Sequence, residues 1–358
     1  MKQNSSKYLA AVIAIFAAML ACNTSGNATE PPPDQPTELT TVIDNPPDSS
    51  TEVPIQIQHQ VFPVNLPQSQ SGRASDQDSS VTAVQKKSNG GDKFTFEQFE
   101  RPFSSNAMDV YFPNLDIIDT RVFQDESWIY GTIKVVDRSI AAAALYRFGM
   151  QLDVQLDGKG DWLVLVLNPS STDWTTDGVQ VYFDANSDVG DLTPMLRDES
   201  AVGGDGFEQL VFDRGKGDDA DAAWVRVSSE DPNTVEIAVK RSLLGNPAAF
   251  LANMWTGHGT LDPALFDYSD HFTHEQAGAA DPGYPIFYPI KALYELDNSC
   301  RIAVGFQPKG NEPGLCTTGL APSDPESGEP VCSAYGEAPG AGGCCDGVPI
   351  SGGLCRYP

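Results

Sequence analysis

The sequence predicts an all-β fold, an antiparallel β-sandwich of jelly-roll or immunoglobulin-like size. Apolar and polar residues alternate in short stretches such as WIYGTIKVV at 128–136, where Ile129, Ile133 and Val135 share one face. A Glu-Asp-Pro-Asn turn at 230–233 joins two further alternating stretches and predicts a tight hairpin. Short strands at this spacing, separated by Gly, Asp, Pro and Asn turns, are typical of a sandwich.

The predicted strands follow one another through residues 92–319, the segment with the composition of a folded domain. They are 128–136, 145–156, 162–168, 178–184, 207–213, 223–229 and 234–240. The run WLVLVLN at 162–168 is apolar on both faces, which predicts a central strand. Residues 139–146 and 242–252 have helical character. The first of these is expected to begin as a loop or a single turn and to continue as strand.

The first 21 residues predict a signal peptide. Two lysines precede an apolar run over residues 9–21, which is shorter than the roughly 20 residues that a membrane-spanning helix needs. The stretch MLAC at 19–22 resembles a bacterial lipobox, in which the cysteine takes the lipid, and ordinary secretory cleavage is the alternative. The resemblance implies that Cys22 is lipidated, that the protein is exported to the bacterial cell surface, and that it contacts the membrane only through this anchor.

Residues 22–91 predict a disordered tether that follows the lipidated cysteine. The segment is rich in Pro, Ser, Thr, Asn and Gln, and its apolar residues are sparse and without period. Proline stiffens such a segment into an extended spacer. One apolar patch, QIQHQVFPVNL at 56–66, could pair as a strand.

The seven cysteines agree with export. An even number remains when Cys22 is set aside, and in an oxidising compartment these six predict three disulfides. They are Cys300, Cys316, Cys332, Cys344, Cys345 and Cys355. Zinc is the alternative, but the chain has no CxxC pair and no histidine after Cys300. Cys300 and Cys316 are expected to close one loop, and residues 320–358 to form a small disulfide-held appendage in which a bond between the adjacent Cys344 and Cys345 is disfavoured by strain.

The chain is strongly acidic, with 22 Lys and Arg against 49 Asp and Glu and a net charge of −27. The mature chain would carry −29, because Lys2 and Lys7 leave with the signal peptide. Nucleic acid and anionic membrane surfaces are therefore not expected partners, since binding phosphate requires a basic patch. An acidic surface favours divalent cations. A salty or acidic habitat is the alternative explanation.

Two acidic turns are candidate calcium sites. The first, DVQLDGKGD, surrounds Gly158 and offers the side chains of three aspartates and a glutamine together with a backbone carbonyl. These candidate ligands are Asp153, Gln155, Asp157, Lys159 and Asp161. The twelfth position of the loop is Val164 and not Glu, which excludes a helix–loop–helix site. A calcium-binding hairpin turn and a plain glycine turn remain open.

The second acidic turn, DANSDVGD, follows a predicted strand. Its candidate calcium ligands are Asp184, Asn186, Asp188 and Asp191. The alternative is an Asx-rich loop that caps its own backbone. A third acidic stretch at 213–221 contains two cationic residues, which weakens the case for a metal there.

Three aromatic residues are candidate ligand contacts, because exposed rings stack on the faces of sugars. Trp174 lies in the polar loop PSSTDWTTDG, where the alternative is a ring that covers the sandwich edge. Tyr182 alternates away from the apolar face of its strand. Trp224 is the third candidate, with core packing as its alternative.

Known catalytic motifs are absent from the sequence. HEQAG at 274–278 lacks the second histidine of a zinc peptidase motif, because that position is Gly278. The chain contains neither GxSxG nor a phosphate-binding GxxxxGK[ST] loop. Spacing singles out no acid–base pair among so many carboxylates, so the protein is not expected to be an enzyme.

Three stretches carry a resemblance to a known family: TDGVQVYFDANSD at 176–188, the hairpin and following turn at 224–245, and the glycine-rich TGHGT. In this order they resemble the sandwich domains of family-nine carbohydrate-binding modules and the related DOMON-type domains. The chain is also similar to uncharacterised bacterial surface lipoproteins with DNSCR and EPGLC near their ends. The resemblance covers roughly 92–316 and implies the fold more strongly than the function.

The combined expectation is a cell-surface lipoprotein whose calcium-stabilised sandwich binds an extracellular glycan or another polymer without catalysis. A structural or adhesion component of the envelope without a soluble ligand is the first alternative, and a secreted hydrolase is the second. Haem binding of the DOMON type would require axial histidine or methionine on facing strands, for which Met150 is the sole strand candidate.

Overall fold

In the computed structural model of the chain, two antiparallel sheets pack face to face around a shared apolar core. The structure describes residues 57–86, 92, 94–139, 145–190, 206–278, 290–308, 314–316, 350–351 and 354–355. Several sequence predictions lie outside the described residues: the signal peptide 1–21, the lipidation of Cys22, the tether up to residue 56, Asp191, Cys332, Cys344 and Cys345. Of Cys355 only the backbone is described.

Strands make up most of the regular secondary structure of the described residues. They are β1 (Gly72–Ser75), β2 (Glu100–Arg101), β3 (Ile117–Gln124), β4 (Trp128–Val135), β5 (Arg147–Asp153), β6 (Trp162–Leu167), β7 (Val179–Phe183), β8 (Gln209–Asp213), β9 (Lys216–Gly217), β10 (Ala223–Val227), β11 (Thr234–Lys240), β12 (Phe250–Gly257), β13 (Leu296–Asn298), β14 (Ile302–Val304), β15 (Ile350–Ser351) and β16 (Leu354–Cys355). The helices are short: α1 (Ser80–Ala83), α2 (Tyr268–His271), α3 (His274–Ala277) and 3-10 turns at Phe94–Phe96 and Pro263–Leu265.

The strands form two large sheets. The first has the order β1-β3-β4-β11-β10, and the second has the order β2-β13-β12-β5-β6-β7-β8-β9, with β14 also paired to β12. All pairs are antiparallel, and β15 pairs with β16 in a separate hairpin. The predicted all-β sandwich is confirmed.

The main core lies between the two sheets, and both contribute side chains to it. On β4, Ile129, Ile133 and Val135 are fully buried in this core, as their alternation predicts. The central strand β6 turns its valines into the same core and its leucines into a second apolar layer on the opposite side of its sheet. The prediction that β6 is apolar on both faces is therefore confirmed.

The segment 242–252, to which the sequence gives helical character, contains no helix. Turns occupy 241–245, and β12 begins at Phe250. Gly245 and Asn246 both have positive φ, of 78° and 57°, and Pro247 follows them. A right-handed helix cannot continue through such residues, because positive φ and proline both interrupt its hydrogen bonding. Of the other segment, residues 140–144 lie outside the described part, and β5 begins at Arg147.

Residues 57–86 belong to the folded domain, so the prediction of a disordered tether through residue 91 is wrong for this part. β1 pairs with β3, and residues 57–66, here called the N-terminal strap, lie against the outer face of the first sheet. The strap forms no strand. It is held by Asp221, whose carboxylate accepts hydrogen bonds from the backbone N–H groups of Gln60 (2.9 Å) and Val61 (2.8 Å).

One predicted cross-link is confirmed, the disulfide between Cys300 and Cys316. Backbone hydrogen bonds inside this loop, from Arg301 N to Gly314 O and from Cys316 N to Arg301 O, hold its two arms together. No helix within the described part of the chain is both long and apolar enough to cross a membrane.

We expect Asp221→Ala to lower the free energy of unfolding by about 1–3 kcal/mol, because it leaves backbone donors of the strap without their acceptor. Burial opposes ionisation of Asp221, but hydrogen bonds from Gln60, Val61 and His59 outweigh it and hold its pKa below the ordinary value. The contribution should therefore be complete above the unfolded-state pKa of about 3.9 and be lost as the pH falls through the lower folded-state pKa.

Urea unfolding at several pH values, with limited proteolysis of the strap, measures this effect. Asp218→Ala is the matched control, because Asp218 is an exposed carboxylate of the same loop. Equal stability and equal protease resistance of Asp221→Ala and the wild type would contradict the role assigned to Asp221.

Candidate functional site

The first acidic turn uses its carboxylates to close its own backbone. Asp153 accepts hydrogen bonds from the N–H groups of Leu156 and Gly158, and Gly158 has the positive φ, 86°, that such a turn requires. Burial raises the pKa of Asp153 to about 6, against these two hydrogen bonds, which lower it. Asp157 caps the N–H of Lys159 (3.0 Å).

Asp161 completes the closure of this turn. Its Oδ2 accepts hydrogen bonds from the N–H groups of Val154 (2.6 Å) and Gln155 (3.0 Å), and its Oδ1 accepts the side-chain amide of Gln155. Gln155 thus presents a donor to Asp161. Among the described residues, the three aspartates of this turn do not bring carboxylate oxygens within 4.8 Å of one another. These contacts fit the plain glycine turn, the alternative to a calcium-binding hairpin, and calcium binding by this turn stays a prediction.

The second acidic turn packs beside the first and also caps itself. Asp184 accepts hydrogen bonds from the N–H groups of Asn186 (3.2 Å), Ser187 (2.7 Å) and Val189 (3.1 Å). The side-chain amide of Asn186 donates to Asp188 (2.7 Å). The backbones of the two turns are joined by hydrogen bonds, from Gly160 N to Val189 O and from Asp184 N to Asp161 O.

A carboxylate from a distant part of the sequence joins this second turn. Asp184, Asp188 and Glu208 each offer an oxygen within 4.8 Å of the others; we call them the rim acidic group. Glu208 precedes β8, and the pairing of Phe183 with Gln209 brings it next to the turn, where it accepts the N–H of Ala185 (3.0 Å). Burial, together with the charges of Asp188 and Glu208, raises the pKa of Asp184.

A half-open cavity of about 330 Å³ adjoins the rim acidic group. It is lined by Tyr182, Gly206, Phe207, Glu208, Asp262, Pro263 and Ala264. Tyr182 is half-buried, and its hydroxyl group donates to Gln180 Oε1 (3.1 Å). The cavity thus combines two aromatic residues, Tyr182 and Phe207, with two carboxylates, and Glu208 is shared with the rim acidic group. Sequence spacing could not reveal Glu208, Asp262 or Pro263 as neighbours, because strand pairing and a separate loop bring them together.

The two candidate tryptophans lie away from this cavity, at the first sheet. Trp224 is 2% exposed, and its indole N–H donates to the carbonyl of Asp221, so the core-packing alternative is the one observed. The ring of Trp174 is covered by the guanidinium group of Arg226 at 4.5 Å, and its N–H donates to Val64 O in the N-terminal strap. Trp174 therefore covers the sandwich edge, and it is not brought together with Tyr182.

Among the described residues, no metal site includes the histidines near HEQAG at 274–278, the stretch that resembles part of a zinc peptidase motif. No histidine there joins a group of three metal-ligating side chains. His258 is buried, with its Nδ1 3.3 Å from a carboxylate oxygen of Glu295 and its ring 4.7 Å from that of Phe112. His271 lies at the end of α2.

Comparisons with known proteins give no family for this chain: no protein-family model matches it, and no curated protein or solved structure does either.

We expect Asp161→Asn to lower the free energy of unfolding by about 1–3 kcal/mol, by the same amount with calcium and with a chelator. The reason is that both oxygens of Asp161 accept hydrogen bonds, Oδ2 from two backbone N–H groups and Oδ1 from the side-chain amide of Gln155, whereas an amide in its place offers only one acceptor oxygen. Urea unfolding in both conditions measures the loss, with Asp157→Asn as the matched control in the same turn. A loss that occurs only in calcium would show that the turn is a metal site.

Proposed function

We propose that the protein is an exported, non-catalytic surface lipoprotein whose β-sandwich binds an extracellular glycan or a related polymer. The observation that carries this proposal is the lining of the cavity beside the rim acidic group, with which it shares Glu208. The half-buried ring of Tyr182 and the carboxylates of Glu208 and Asp262 face one half-open space, and Glu208 also belongs to the rim acidic group.

The chemistry of the cavity suits a sugar. Aromatic rings offer a flat apolar surface on which the C–H face of a sugar packs, and carboxylates accept hydrogen bonds from hydroxyl groups. Binding sites of this kind combine apolar lining with a few placed polar groups. The exposed side chain of Leu210, directly across from Tyr182 on β8, extends the apolar surface beside the cavity. An open cavity can accept one unit of a longer polymer.

Calcium is the proposed cofactor of this site, held by Asp184, Asp188 and Glu208. Calcium binds oxygen ligands with flexible geometry, and carboxylates on turns are common ligands. A cation there would also reduce the repulsion among acids in a chain with a net charge of −27. Hydroxyl groups of a sugar could complete its coordination from the cavity side.

Export and anchoring are part of the proposal and are supported by the apolar run at 9–21 and the lipobox-like MLAC that ends at Cys22. Attachment through Cys22 would place the sandwich at the cell surface, with the membrane contacted only by acyl chains. The acidic composition supports the absence of nucleic acid from the partners.

A structural or adhesion component without a soluble ligand is the second candidate. It is favoured by the covered state of Trp174 and by the self-capped first turn, since neither needs a ligand. A secreted hydrolase has less support, which consists of the two carboxylates Glu208 and Asp262 on the cavity wall.

We expect Tyr182→Ala to weaken binding of the protein to its polysaccharide about tenfold or more, because removal of a central aromatic contact commonly removes over 1 kcal/mol of binding free energy. A glycan array with the wild type identifies the polysaccharide, and titration calorimetry compares the variants. Glu208→Gln should abolish any calcium dependence of binding.

Trp174→Ala is the matched control, because the ring of Trp174 lies under the N-terminal strap at the other sheet. The affinity of this variant for the polysaccharide should equal that of the wild type. Absence of binding to every polysaccharide would favour the structural candidate. Equal affinities of Tyr182→Ala and the wild type would exclude this cavity as the binding site.

A further inference from the structure

Three carboxylates are buried together where β2, β3 and β13 meet. Glu100 on β2 is directly paired with Asp297 on β13, and Asp116 immediately precedes β3. Their exposed fractions are 1%, 0% and 0%, and each offers an oxygen within 4.8 Å of the others. We call these three residues the buried acidic centre. The rim acidic group shares none of its residues with this centre.

Each of the three side chains uses one oxygen in hydrogen bonding. Glu100 Oε1 accepts the hydroxyl of Ser79 (2.6 Å), and Asp297 Oδ2 accepts the N–H of Ile117 (2.6 Å). Asp116 Oδ2 accepts the N–H of Ser79 (3.0 Å) and the hydroxyl of Tyr111. These bonds fix the orientation of all three carboxylates.

The second oxygen of each side chain has no hydrogen-bond partner in the part of the chain that the structure describes. These atoms are Glu100 Oε2, Asp116 Oδ1 and Asp297 Oδ1. No lysine or arginine among the described residues forms an ion pair with the three carboxylates. Buried carboxylates without counter-charge oppose folding strongly, so native structures pair them or use them to coordinate metals.

A neighbouring acid shows what a paired buried carboxylate looks like in this protein. Asp92 is buried like Glu100, but Arg101 donates to it twice, from Nε (2.7 Å) and from Nη2 (3.0 Å). The guanidinium group of Arg101 is thereby occupied. Its remaining nitrogen donates to the backbone carbonyls of Ala277 (2.7 Å) and Leu293 (3.1 Å).

The pKa values of the three carboxyl groups reflect the absence of a counter-charge among the described residues around the buried acidic centre. Burial, followed by the charges of neighbouring acids including Asp76, raises the pKa of Glu100 and of Asp297 well above the ordinary values. Burial also raises the pKa of Asp116, to about 8, although hydrogen bonds from Tyr111 and Ser79 oppose the rise. Because three carboxylates are buried together with one free oxygen each, the centre is neutralised either by protons or by a cation.

We propose that the buried acidic centre is a divalent cation site and that calcium is its ion. The geometry supplies three fixed carboxylates with free oxygens, and oxygen ligands select calcium or magnesium over zinc, which prefers nitrogen and sulfur. Calcium fits better than magnesium, because magnesium usually keeps several waters and this centre is fully buried. The proposal does not rest on polymer binding.

A cation in this centre would fasten the N-terminal part of the domain to the sandwich. Ser79 bonds to both Glu100 and Asp116, and it lies between β1, which pairs with β3, and α1. Asp76 on the same segment is close enough to raise the pKa of all three acids. One ion would therefore link this segment, the start of β3 and the β2–β13 pair.

The test uses the full chain, loaded with calcium, passed through a desalting column and analysed for metals by mass spectrometry. The wild type should retain calcium without any polysaccharide present. Calcium at about 100 times its dissociation constant should raise the Tm by roughly 5–10 °C relative to chelator.

Asp297→Asn should retain one calcium ion per chain fewer than the wild type and should lose most of the calcium-dependent rise in Tm. In chelator it should be at least as stable as the wild type, because an amide, unlike a carboxylate, needs neither a proton nor a cation to be neutral in the buried centre. Asp92→Asn is the matched control: it should lose stability in both conditions, since it breaks a paired acid, and keep the ion. Glu208→Gln should also keep the ion of the buried acidic centre, which separates this centre from the proposed polymer site.

A wild-type protein that retains no divalent ion and melts at the same temperature in calcium and in chelator would overturn the proposal, because its acids would then be held protonated. Retention by Asp297→Asn of as many calcium ions per chain as the wild type retains would overturn it equally. Should Asp297→Asn fail to fold, Glu100→Gln is subjected to the same two measurements.

Discussion

The rest of the structure depends on one constraint, the burial of three acidic side chains beside one another. Glu100, Asp116 and Asp297 come from three separate parts of the chain, and the pairing of β2 with β13 fixes two of them side by side. Transfer of carboxylates from water into a protein interior is unfavourable unless charge is compensated. A proton or a cation at this junction would supply that compensation in a chain with a net charge of −27.

Elsewhere the protein compensates its buried acids locally. Asp153 and Asp161 accept backbone N–H groups of their own turns, and Asp92 is paired with Arg101. Hydrogen bonds from the backbone stabilise the ionised form and need no metal. Aspartates that look alike in the sequence thus differ in the structure: some cap backbone groups or pair with an arginine, and others belong to the buried acidic centre. What separates them, within the described part of the chain, is that the buried acidic centre leaves one oxygen of each carboxylate without a donor.

Local patterns were sufficient for most of the fold and for little of the site. Alternation and short apolar runs predicted β4 to β8, β10 and β11, because at least one face of each strand is buried. It did not reveal Glu208 or the buried acidic centre, whose members meet only through strand pairing between distant segments. The composition of the N-terminal strap suggested a tether. Composition did not reveal that the strap is attached to the sandwich, because the attachment consists of a few ring contacts and of backbone N–H groups that donate to Asp221. The sequence located the two acidic turns correctly, but the residue types in them do not distinguish a self-capped turn from a metal site.

The most direct measurement of the central claim is an anomalous difference map from crystals grown in calcium, collected at a long wavelength. The account predicts a peak between Glu100, Asp116 and Asp297, with oxygen ligands at about 2.3–2.6 Å. A well-ordered centre with no anomalous peak, in which the three carboxyl groups share protons through short oxygen–oxygen contacts, would contradict it.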